Sequence, residues 1–536
     1  MRPNERFKSL LTRGYLPKEL PPPFNSKMLG ASGDDLLADL LIIDKNKKFK
    51  SSYGRYNHPK NNISRRQLAL LNPINYLYIS DLISREWPAI HRRMTGLLCS
   101  SSPIVFSKTS ERAIVKEQYT AFSDRMLQIL AQSDRAIRTD ISQFYGSIYT
   151  HSITWALHGK DTAKALWKSG KLKGDLGQRL DDLTRFAQDE QSVGIPIGPD
   201  TSRILSELIG VALDREITRE HPSKYYVRFV DDVFLGFEWE TPTLRPLSTA
   251  IGAFSQYELH LNEEKTEVVD SYGAEPEDFV AELLSYQLPT VAGEQKRGLD
   301  YYFGRVAWAA KSKPRKNYPS LAVIYLDNFD IRPTNRTNYV AYLLRTARSY
   351  PHSIENVVVA LINRRNSGWS LPKQIIGEFC DTMIVYHCAL RNSAEVAWCL
   401  YLCLILKIKI SRSSVQSLSG YLDSVCALLA LDLEEKGLTE IKLEKSLWRS
   451  VLTTNGFQSE HWLLAYEAPL KGWLKPLNWG YLTGKNMPAN TLFSRQVSFY
   501  DSTRPILTAL QRKQRNLESA IDRNRQFSSL LESYFW

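Results

Sequence analysis

The sequence predicts a protein of two parts, a mixed α+β domain over residues 1–310 and an all-α domain over residues 311–536. Between about residues 120 and 300, short runs rich in β-branched and aromatic residues alternate with segments of helical periodicity, which is typical of a mixed α/β unit. After residue 310, helical patterns follow one another with short polar turns between them. At 536 residues the chain is also longer than one core usually supports.

The composition indicates a soluble protein with a polyanionic partner. Hydrophobic residues make up 43% of the chain and charged residues 24%, which is ordinary for a globular protein. Lys and Arg number 69 against 57 acidic residues, and this formal net charge of +12 favours nucleic acid as the partner. The longest apolar stretch, residues 396–406, is too short to cross a bilayer. The six cysteines form no CxxC pair. We therefore expect a cytoplasmic protein with free, buried thiols and no membrane partner.

Residues 225–237, YYVRFVDDVFLGF, place two adjacent aspartates between two strand-like runs. Each run has about the length of one strand, so the segment predicts a β-hairpin with Asp231 and Asp232 at or near its tip. Asp is also common in turns without any further role. Adjacent carboxylates beside buried strands repel each other unless a cation offsets them, which makes the pair a candidate cation site.

A third carboxylate ends another predicted strand. In RTDISQFYGSIY, Asp140 follows a short apolar run and precedes the aromatic pair Phe144 and Tyr145. A strand that supplies one carboxylate beside a hairpin that supplies two would form a three-carboxylate cluster. Such a cluster can hold two Mg²⁺ ions about 3.5–4 Å apart, which promote attack by a hydroxyl and stabilise a leaving pyrophosphate. A role for Asp140 as a simple strand-end cap is the alternative.

Two further segments accompany these aspartates. Residues 194–217 read as a loop that feeds a helix, with Pro199 suited to its first turn and apolar residues at the helical period. Residues 259–266, LHLNEEKT, carry a lysine in a polar turn. In the second half of the chain, successive helices would bury their apolar faces by stacking as hairpins in an α-solenoid or by forming an irregular bundle.

These segments, in this order, resemble the motifs of reverse transcriptases. TDISQFY is similar to the first palm motif, GIPIGPDTS to the Gly-x-Pro-x-Gly loop, FVDD to the [Tyr/Phe]-x-Asp-Asp hairpin, and LHLNEEKT to the downstream lysine-bearing motif. RGYLPKELPPPF and YTHSITWALHGK are similar to stretches of bacterial defence-associated reverse transcriptases of the abortive-infection and unknown-group kind. The resemblance covers about residues 10–270. It implies an α+β palm and fingers followed by a HEAT-like helical domain.

The resemblance implies a set of metal ligands and a nucleotide site. Asp140 and Asp231 would bind two Mg²⁺ ions, or Mn²⁺ in their place, with the Ile141 carbonyl as a further oxygen and Asp232 completing the carboxylate cluster. Tyr145 would floor the sugar pocket and exclude a 2′-hydroxyl, with core packing as the alternative role.

Further nucleotide contacts are implied by the other two motifs. Gly194 and Gly198 would let the backbone approach the incoming base pair. Lys265 would assist the departure of pyrophosphate, or would be a solvated lysine in a turn.

Other residues extend this site or depart from the family pattern. Arg112 and Lys116 precede the first motif and would hold a triphosphate. Ile197 stands where many reverse transcriptases have glutamine, which puts the copying of arbitrary templates in doubt. Tyr53 and Tyr56, in the basic and solvated-looking stretch SSYGRYNHPK, would offer hydroxyls for protein priming.

The function implied by the resemblance is RNA-directed or template-independent DNA synthesis from dNTPs in antiphage defence. The DNA product could remain covalently attached to the protein, a homo-oligomer is expected, and an associated non-coding RNA template is left open. One alternative is a retron or group II intron-like reverse transcriptase that copies a defined RNA. The other is a non-catalytic RNA-binding protein on a polymerase-like scaffold, which would not require all three aspartates.

Overall fold

The computed structural model describes residues 1–96, 99–115, 119–242, 244–270 and 278–504. In chain order the strands are β1 Gly54–Pro59, β2 Arg65–Leu70, β3 Arg135–Asp140, β4 Tyr226–Phe229, β5 Asp232–Phe237 and β6 Glu267–Asp270.

The helices of the first half lie around these strands. They are α1 Pro3–Ser9, α2 Lys27–Ile43, α3 Pro73–Arg85, α4 Trp87–Met94, α5 Tyr119–Leu130, α6 Phe144–Ser147, α7 Ser152–His158, α8 Lys160–Lys168, α9 Leu176–Phe186, α10 Asp200–Thr218, α11 Leu244–Gln256 and α12 Asp278–Ser285.

The remaining described helices follow without further strands between them. They are α13 Ala292–Ser312, α14 Tyr318–Leu326, α15 Arg336–Ser349, α16 Ile354–Asn366, α17 Lys373–Ala389, α18 Ser393–Leu406, α19 Arg412–Ser419, α20 Ser424–Glu435, α21 Ser446–Arg449, α22 Thr454–Gln458, α23 Trp462–Leu470, α24 Gly480–Thr483 and α25 Pro488–Ser494.

Four strands form an antiparallel sheet in the order β4-β5-β3-β6. The predicted hairpin is confirmed, because β4 and β5 pair with each other on either side of the acidic turn. The predicted strand before the aromatic pair is also confirmed, and it pairs with β5 so that Asp140 lies opposite Asp232. The sheet therefore brings the two sequence segments together at one edge.

The alternation of side chains along the strands gives the sheet two buried faces. On one face Ala136, Val227 and Phe234 form a small cluster with residues of α5. On the other face Ile137 and Leu235 belong to the main core, which also contains apolar residues of α10. The predicted helix is confirmed as α10, but every residue from Ile204 to Asp214 is buried, so its apolar residues do not mark a single buried face.

The helices from α13 to α20 stack as successive hairpins. Each odd-numbered helix pairs with the even-numbered helix that follows it, and corresponding helices of neighbouring pairs also contact each other. This arrangement buries the apolar faces pair by pair, as in an α-solenoid. The predicted boundary after residue 310 falls inside α13, so the helical part begins before it.

The two parts share one continuous core. A single cluster of buried apolar residues extends from Phe7 to Tyr500. The Trp462 indole donates a hydrogen bond to the Leu70 carbonyl at the end of β2 (2.7 Å), and the Trp398 indole donates to the Glu19 carbonyl (3.1 Å). The helical part therefore packs directly on the first seventy residues.

An ion pair with one buried partner joins the β1–β2 hairpin to α18. Arg65 of β2 donates two hydrogen bonds of 2.8 Å to the carboxylate of Glu395, whose side chain is completely buried. Beside this pair, the Asn57 amide donates to the Arg391 carbonyl (3.1 Å). The hairpin is thus held against the helical part by a bidentate contact, the strongest geometry for an arginine–carboxylate pair.

The cysteines and the apolar helices bear on the expected compartment of the chain. All six cysteines are free and buried, as predicted. Within the described ranges, no helix combines the length and the apolar composition that crossing a bilayer requires.

Replacement of Arg65 by Met should lower the free energy of unfolding by about 2–3 kcal/mol, because Glu395 would lose the cation that offsets its burial. Arg55→Met is the matched control on the same hairpin, since Arg55 is exposed and lies 3.7 Å from an exposed Glu460. The control should cost less than about 0.5 kcal/mol. Urea denaturation of the full chain measures both, and equal losses in the two variants would contradict the assignment.

Candidate active site

Three aspartates lie near one another along the chain trace at the edge of the sheet where β3 ends and β5 begins. Asp140 is the last residue of β3 and lies directly opposite Asp232, the first residue of β5. Asp231 occupies the turn between β4 and β5, and its carbonyl accepts a hydrogen bond from the Ile141 N–H (3.2 Å). The antiparallel register therefore places the three predicted aspartates together.

The turn before Asp231 has a strained backbone. Val230 has a φ of +57°, a conformation that β-branched residues rarely adopt and that costs about 1–3 kcal/mol. Both of its peptide groups are held from outside the turn. Its N–H donates to the Ser102 hydroxyl (3.0 Å), and its carbonyl accepts from Nη1 of Arg228 (2.9 Å). These two contacts fix the backbone of Val230 and therefore the position of Asp231, the next residue in the turn.

Arg228 is itself buried between two carboxylates of α10, with 1% of its side chain exposed. Its Nε donates to Oδ1 of Asp214 (2.7 Å), and its Nη2 donates to Oε1 of Glu207 (3.0 Å). Ser102 closes the network, because its hydroxyl also donates to Glu207 (3.3 Å). The buried charges are thus paired and hydrogen-bonded, which is the condition for placing them in a core.

The helix α10 makes room for this guanidinium with a glycine. A Cβ atom added at Gly210 would lie 2.5 Å from Nη1 and 2.6 Å from Cζ of Arg228, which is closer than real Cβ contacts allow. Gly210 lies between Glu207 and Asp214 on the same helix, so these three residues together form the binding site of the Arg228 guanidinium.

Burial makes the carboxylate cluster electrostatically unfavourable. Burial, followed by the charge of Asp231, raises the pKa of Asp232 to about 6. Burial also raises the pKa of Asp231, and the charge of Asp140 adds to the effect. Carboxylates with raised pKa values at one site are groups that a cation would stabilise in their ionised form.

Lys265 provides a positive charge at this cluster. The segment before it pairs with the end of β3, because the Ser142 N–H donates to the His260 carbonyl (2.8 Å) and the Asn262 N–H donates to the Asp140 carbonyl (2.9 Å). The Lys265 ammonium forms an ion pair with Oδ2 of Asp140. Partial burial alone would lower the pKa of Lys265, but the hydrogen bond with Asp140 and its charge raise it.

Two basic residues that the sequence analysis did not select also belong to the site. Lys60 and Arg66 lie at the tip of the β1–β2 hairpin. Partial burial and then the positive charges of Arg66 and Lys265 lower the pKa of Lys60, while the charges of Asp231 and Asp140 oppose that shift. Lys60 therefore lies within electrostatic range of Arg66, Lys265 and the two aspartates. The signal was available in KNNISRRQ, a polar turn flanked by basic residues.

The tip of this hairpin is fixed by contacts with the helical part. The Asn61 amide donates to the Arg315 carbonyl (3.2 Å), just after α13. The Arg315 guanidinium forms an ion pair with Glu264 (2.9 Å), the neighbour of Lys265. The chain after α13 thus connects the hairpin tip to the turn that carries the lysine.

The predicted triphosphate role of Arg112 is wrong. Arg112 is buried and donates to the Asp200 carboxylate (2.6 Å) and to the carbonyls of Gly14 (3.2 Å) and Gly198 (2.8 Å). Its donors hold the start of α10 against the N-terminal segment and are not directed at a ligand. Lys116, the other residue of that prediction, lies outside the described residues.

The predicted solvent exposure of Tyr56 is also wrong. Tyr56 lies within β1 and is completely buried. Burial raises its pKa well above the ordinary value, and the next contributions come from Cys426 and Glu355 of the helical part. Its hydroxyl is therefore enclosed in the core near groups of the helical part. Tyr53 is partly buried against the same core, and a priming role for it stays a prediction.

Tyr145 lies beside the carboxylates. It is partly buried, and its hydroxyl lies 3.0 Å from the Ser206 hydroxyl of α10. Burial raises the pKa of Tyr145 to about 12, and the charge of Asp231 contributes. The Ile195 N–H donates to the Tyr145 carbonyl (2.8 Å), and the Gly194 N–H donates to the Ile148 carbonyl (2.8 Å). The glycine-containing loop therefore packs on the turn that carries the tyrosine.

The other end of this loop is held by the protein itself. Gly198 has a φ of +128°, and a Cβ there would lie 2.8 Å from Cγ of Pro17. The Ile197 carbonyl accepts from the Ala69 N–H of β2 (2.7 Å). These contacts explain structurally why a glycine occupies position 198. The predicted contact of Gly198 with a nucleotide stays a prediction.

The donor chemistry of the site fits a divalent cation. The Oδ1 atom of Asp140 is buried without a hydrogen-bond partner. Carboxylate and carbonyl oxygens are the ligands that Mg²⁺ prefers. Among the residues that the structure describes, no three His, Cys, Asp or Glu side chains form a group that could hold a metal ion. The fit therefore rests on Asp140, Asp231 and the adjoining backbone, without a third converging side chain.

No protein-family model matches this sequence, and no curated protein matches it as a relative. The likeness to reverse transcriptases therefore remains one of motifs, and a functional assignment depends on the residues of this site.

Replacement of Gly210 by Ala should destabilise the protein by about 2 kcal/mol or more, because the new methyl group would collide with the Arg228 guanidinium. Gly252→Ala is the matched control, since Gly252 lies in α11 and an added Cβ there meets nothing within 4 Å. The control should be neutral or stabilising by up to about 1 kcal/mol. Denaturant unfolding measures the stability of both variants. An unchanged stability of Gly210→Ala would contradict the conclusion that the guanidinium needs a glycine at this position.

Replacement of Asp232 by Asn should stabilise the protein at pH 8 by on the order of 2 kcal/mol. The folded-state pKa of about 6 exceeds the ordinary value of 3.8, so the ionised carboxylate lowers stability. That cost is complete above about pH 6 and absent below about pH 4, where the two proteins should unfold alike. Denaturation across this pH range in a chelator measures the difference, with Asp161→Asn on the exposed face of α8 as the control. A destabilised Asp232→Asn at pH 8 would contradict this electrostatic interpretation.

Proposed function

We propose that the protein is a DNA polymerase of the reverse-transcriptase type, which adds deoxynucleotides to a hydroxyl and releases pyrophosphate. The observation that carries the proposal is the pairing of Asp140 with Asp232 across β3 and β5, with Asp231 in the adjoining turn. Buried, mutually repelling carboxylates lower the stability of a fold, so a chain that retains them at one edge has a use for their charge.

Mg²⁺ would be held by Asp140 and Asp231, with the Ile141 carbonyl as a further oxygen and Asp232 contributing negative charge. Mn²⁺ accepts the same oxygen donors. When bound, these ions would promote attack by the hydroxyl and stabilise the charge of the leaving pyrophosphate. The unpaired Oδ1 of Asp140 supports this assignment.

The basic residues of the site have separate roles in this proposal. Lys60, with Arg66 beside it on the same hairpin, would bind the triphosphate of the incoming nucleotide, because Lys60 interacts electrostatically with Asp231 and Asp140 where that group must lie. Lys265, which stays protonated beside Asp140, lies where it can donate a proton to the departing pyrophosphate.

Tyr145 would select the sugar. Its hydroxyl is held by Ser206, so the ring has a fixed position beside Asp231. A fixed ring there would leave no room for a 2′-hydroxyl and would favour dNTPs. Ile197 offers an apolar side chain where a polar contact to template would be expected, which supports template-independent synthesis or a product of simple sequence.

The biological setting of the proposal rests on the motif resemblance alone. We place the protein in the cytoplasm of a bacterium, as a homo-oligomer acting in antiphage defence. Synthesis of its DNA product could start on a protein hydroxyl, for which Tyr53 is the candidate because Tyr56 is buried. An associated non-coding RNA could serve as the template.

Purified protein incubated with Mg²⁺ and labelled dNTPs, without added template or primer, should incorporate label. Asp231→Asn should reduce incorporation about 100-fold or more, because the carboxylate that would hold the cation is removed. Asp270→Asn is the matched control, since Asp270 is an exposed carboxylate opposite Arg135, at the other end of β3 from Asp140. The control should retain wild-type activity. Product that leaves the protein only after proteinase treatment would indicate protein priming.

Other outcomes of this assay favour the alternatives. Incorporation that requires one particular RNA would favour a reverse transcriptase that copies a defined template. RNA binding without incorporation under any condition would favour the non-catalytic scaffold. Wild-type incorporation by Asp231→Asn would refute the catalytic assignment.

A further inference from the structure

A pocket of about 410 Å³ lies between α7, α8 and α9, apart from the carboxylate cluster. Its walls are aromatic, with Tyr149, Trp155 and Trp167 around an apolar floor of Ala163 and Leu172. Trp167 is 72% exposed, so a large apolar ring stands at the mouth of the pocket facing solvent. A volume of this size suits a small planar ligand.

Polar groups converge at another part of the same pocket. Nδ1 of His151 is hydrogen-bonded to Oδ2 of Asp181, and the Arg185 guanidinium is hydrogen-bonded to Asp182. Asp181 is buried, and its Oδ1 atom accepts no hydrogen bond but forms an ion pair with Nε of Arg185 (3.3 Å). Gln178 also lines this end. The pocket thus offers both hydrogen-bond donors and acceptors beside its aromatic walls.

The rim of the pocket carries a concentration of positive charge. Lys164 lines the pocket, and three further exposed lysines, Lys168, Lys171 and Lys173, follow it on α8 and the turn after that helix. In the described part of the chain none of the four forms an ion pair with a carboxylate. Unpaired lysines beside an aromatic site attract phosphate groups.

We propose that this pocket binds a nucleobase that carries a phosphate, with the base against Trp167 and Trp155 and the phosphate on the lysines of the rim. Every nucleobase has a face for stacking and an edge for hydrogen bonds, which match the two kinds of surface in the pocket. The ligand comes either from a free nucleotide or from an unpaired stretch of a nucleic-acid strand, and the two sources share this chemistry.

The residues that line the pocket differ from those of the proposed polymerase site. The proposed binding of a nucleobase therefore does not depend on polymerase activity. A backbone connection exists between the two. Tyr149 forms a β-bridge with Val193, next to Gly194, in the loop that packs on Tyr145. A strand held in the pocket would therefore lie on the same connected segment that carries the sugar-selecting tyrosine.

The test measures fluorescence anisotropy of a labelled single-stranded DNA hexamer and of its abasic counterpart. It uses full-length protein with Asp231→Ala, in a chelator, so that neither catalysis nor its cation contributes. The base-bearing hexamer should bind about tenfold or more tightly than the abasic one. Trp167→Ala should remove that preference, while Trp239→Ala, which replaces another largely exposed tryptophan outside the pocket, should keep it.

Competition with nucleoside monophosphate distinguishes the two sources. Displacement of the hexamer by the monophosphate, lost in Trp167→Ala, supports a free nucleotide as the ligand. Binding of the hexamer alone supports a strand. Equal binding of the base-bearing and abasic hexamers, or an unchanged preference in a correctly folded Trp167→Ala, would overturn the inference. Because the background protein is catalytically altered, a failure here leaves the polymerase proposal standing, and the reverse also holds.

Discussion

The geometry of the candidate active site depends on one buried cation, the guanidinium of Arg228. It lies between Glu207 and Asp214 on α10 and also holds the carbonyl of Val230, so a helix, a strand and a strained turn meet at a single group. A guanidinium suits this position because its donors lie in one plane and can serve several acceptors together. Loss of any partner would leave a charge uncompensated in the core, which is far costlier than a lost surface contact. The conformation of the turn that contains Asp231 therefore depends on the buried contacts of Arg228.

The same logic of compensated charge continues at the carboxylates. Their own repulsion and burial raise the pKa values of Asp231 and Asp232, while Lys265 offsets part of the negative charge through Asp140. The hairpin tip adds the charge of Lys60 from a different part of the chain. The site thus combines an acidic floor with a basic rim, an arrangement that suits a ligand carrying both a cation and phosphates.

Local patterns predicted much of the first half of the chain. The acidic hairpin, the strand ending at Asp140 and the helix after the glycine loop follow from short-range periodicity, and the structure has all three. The predictions that failed concerned residues whose surroundings are set by tertiary contacts with distant segments. Nothing near Tyr56 in the sequence reveals that helices some 300 residues later bury it, and Arg112 finds its partner in the distant Asp200. Lys60 was missed for the same reason, because only the folded hairpin brings it to the aspartates.

The continuous core has a consequence for biosynthesis. Tyr15 and Phe24 pack against Trp462, Phe499 and Tyr500, so part of their apolar surface is covered by the end of the described chain. During translation these early segments emerge long before their partners exist. The nascent protein must therefore keep this hydrophobic surface exposed until residues 462–500 have left the ribosome, and exposed apolar surface promotes aggregation.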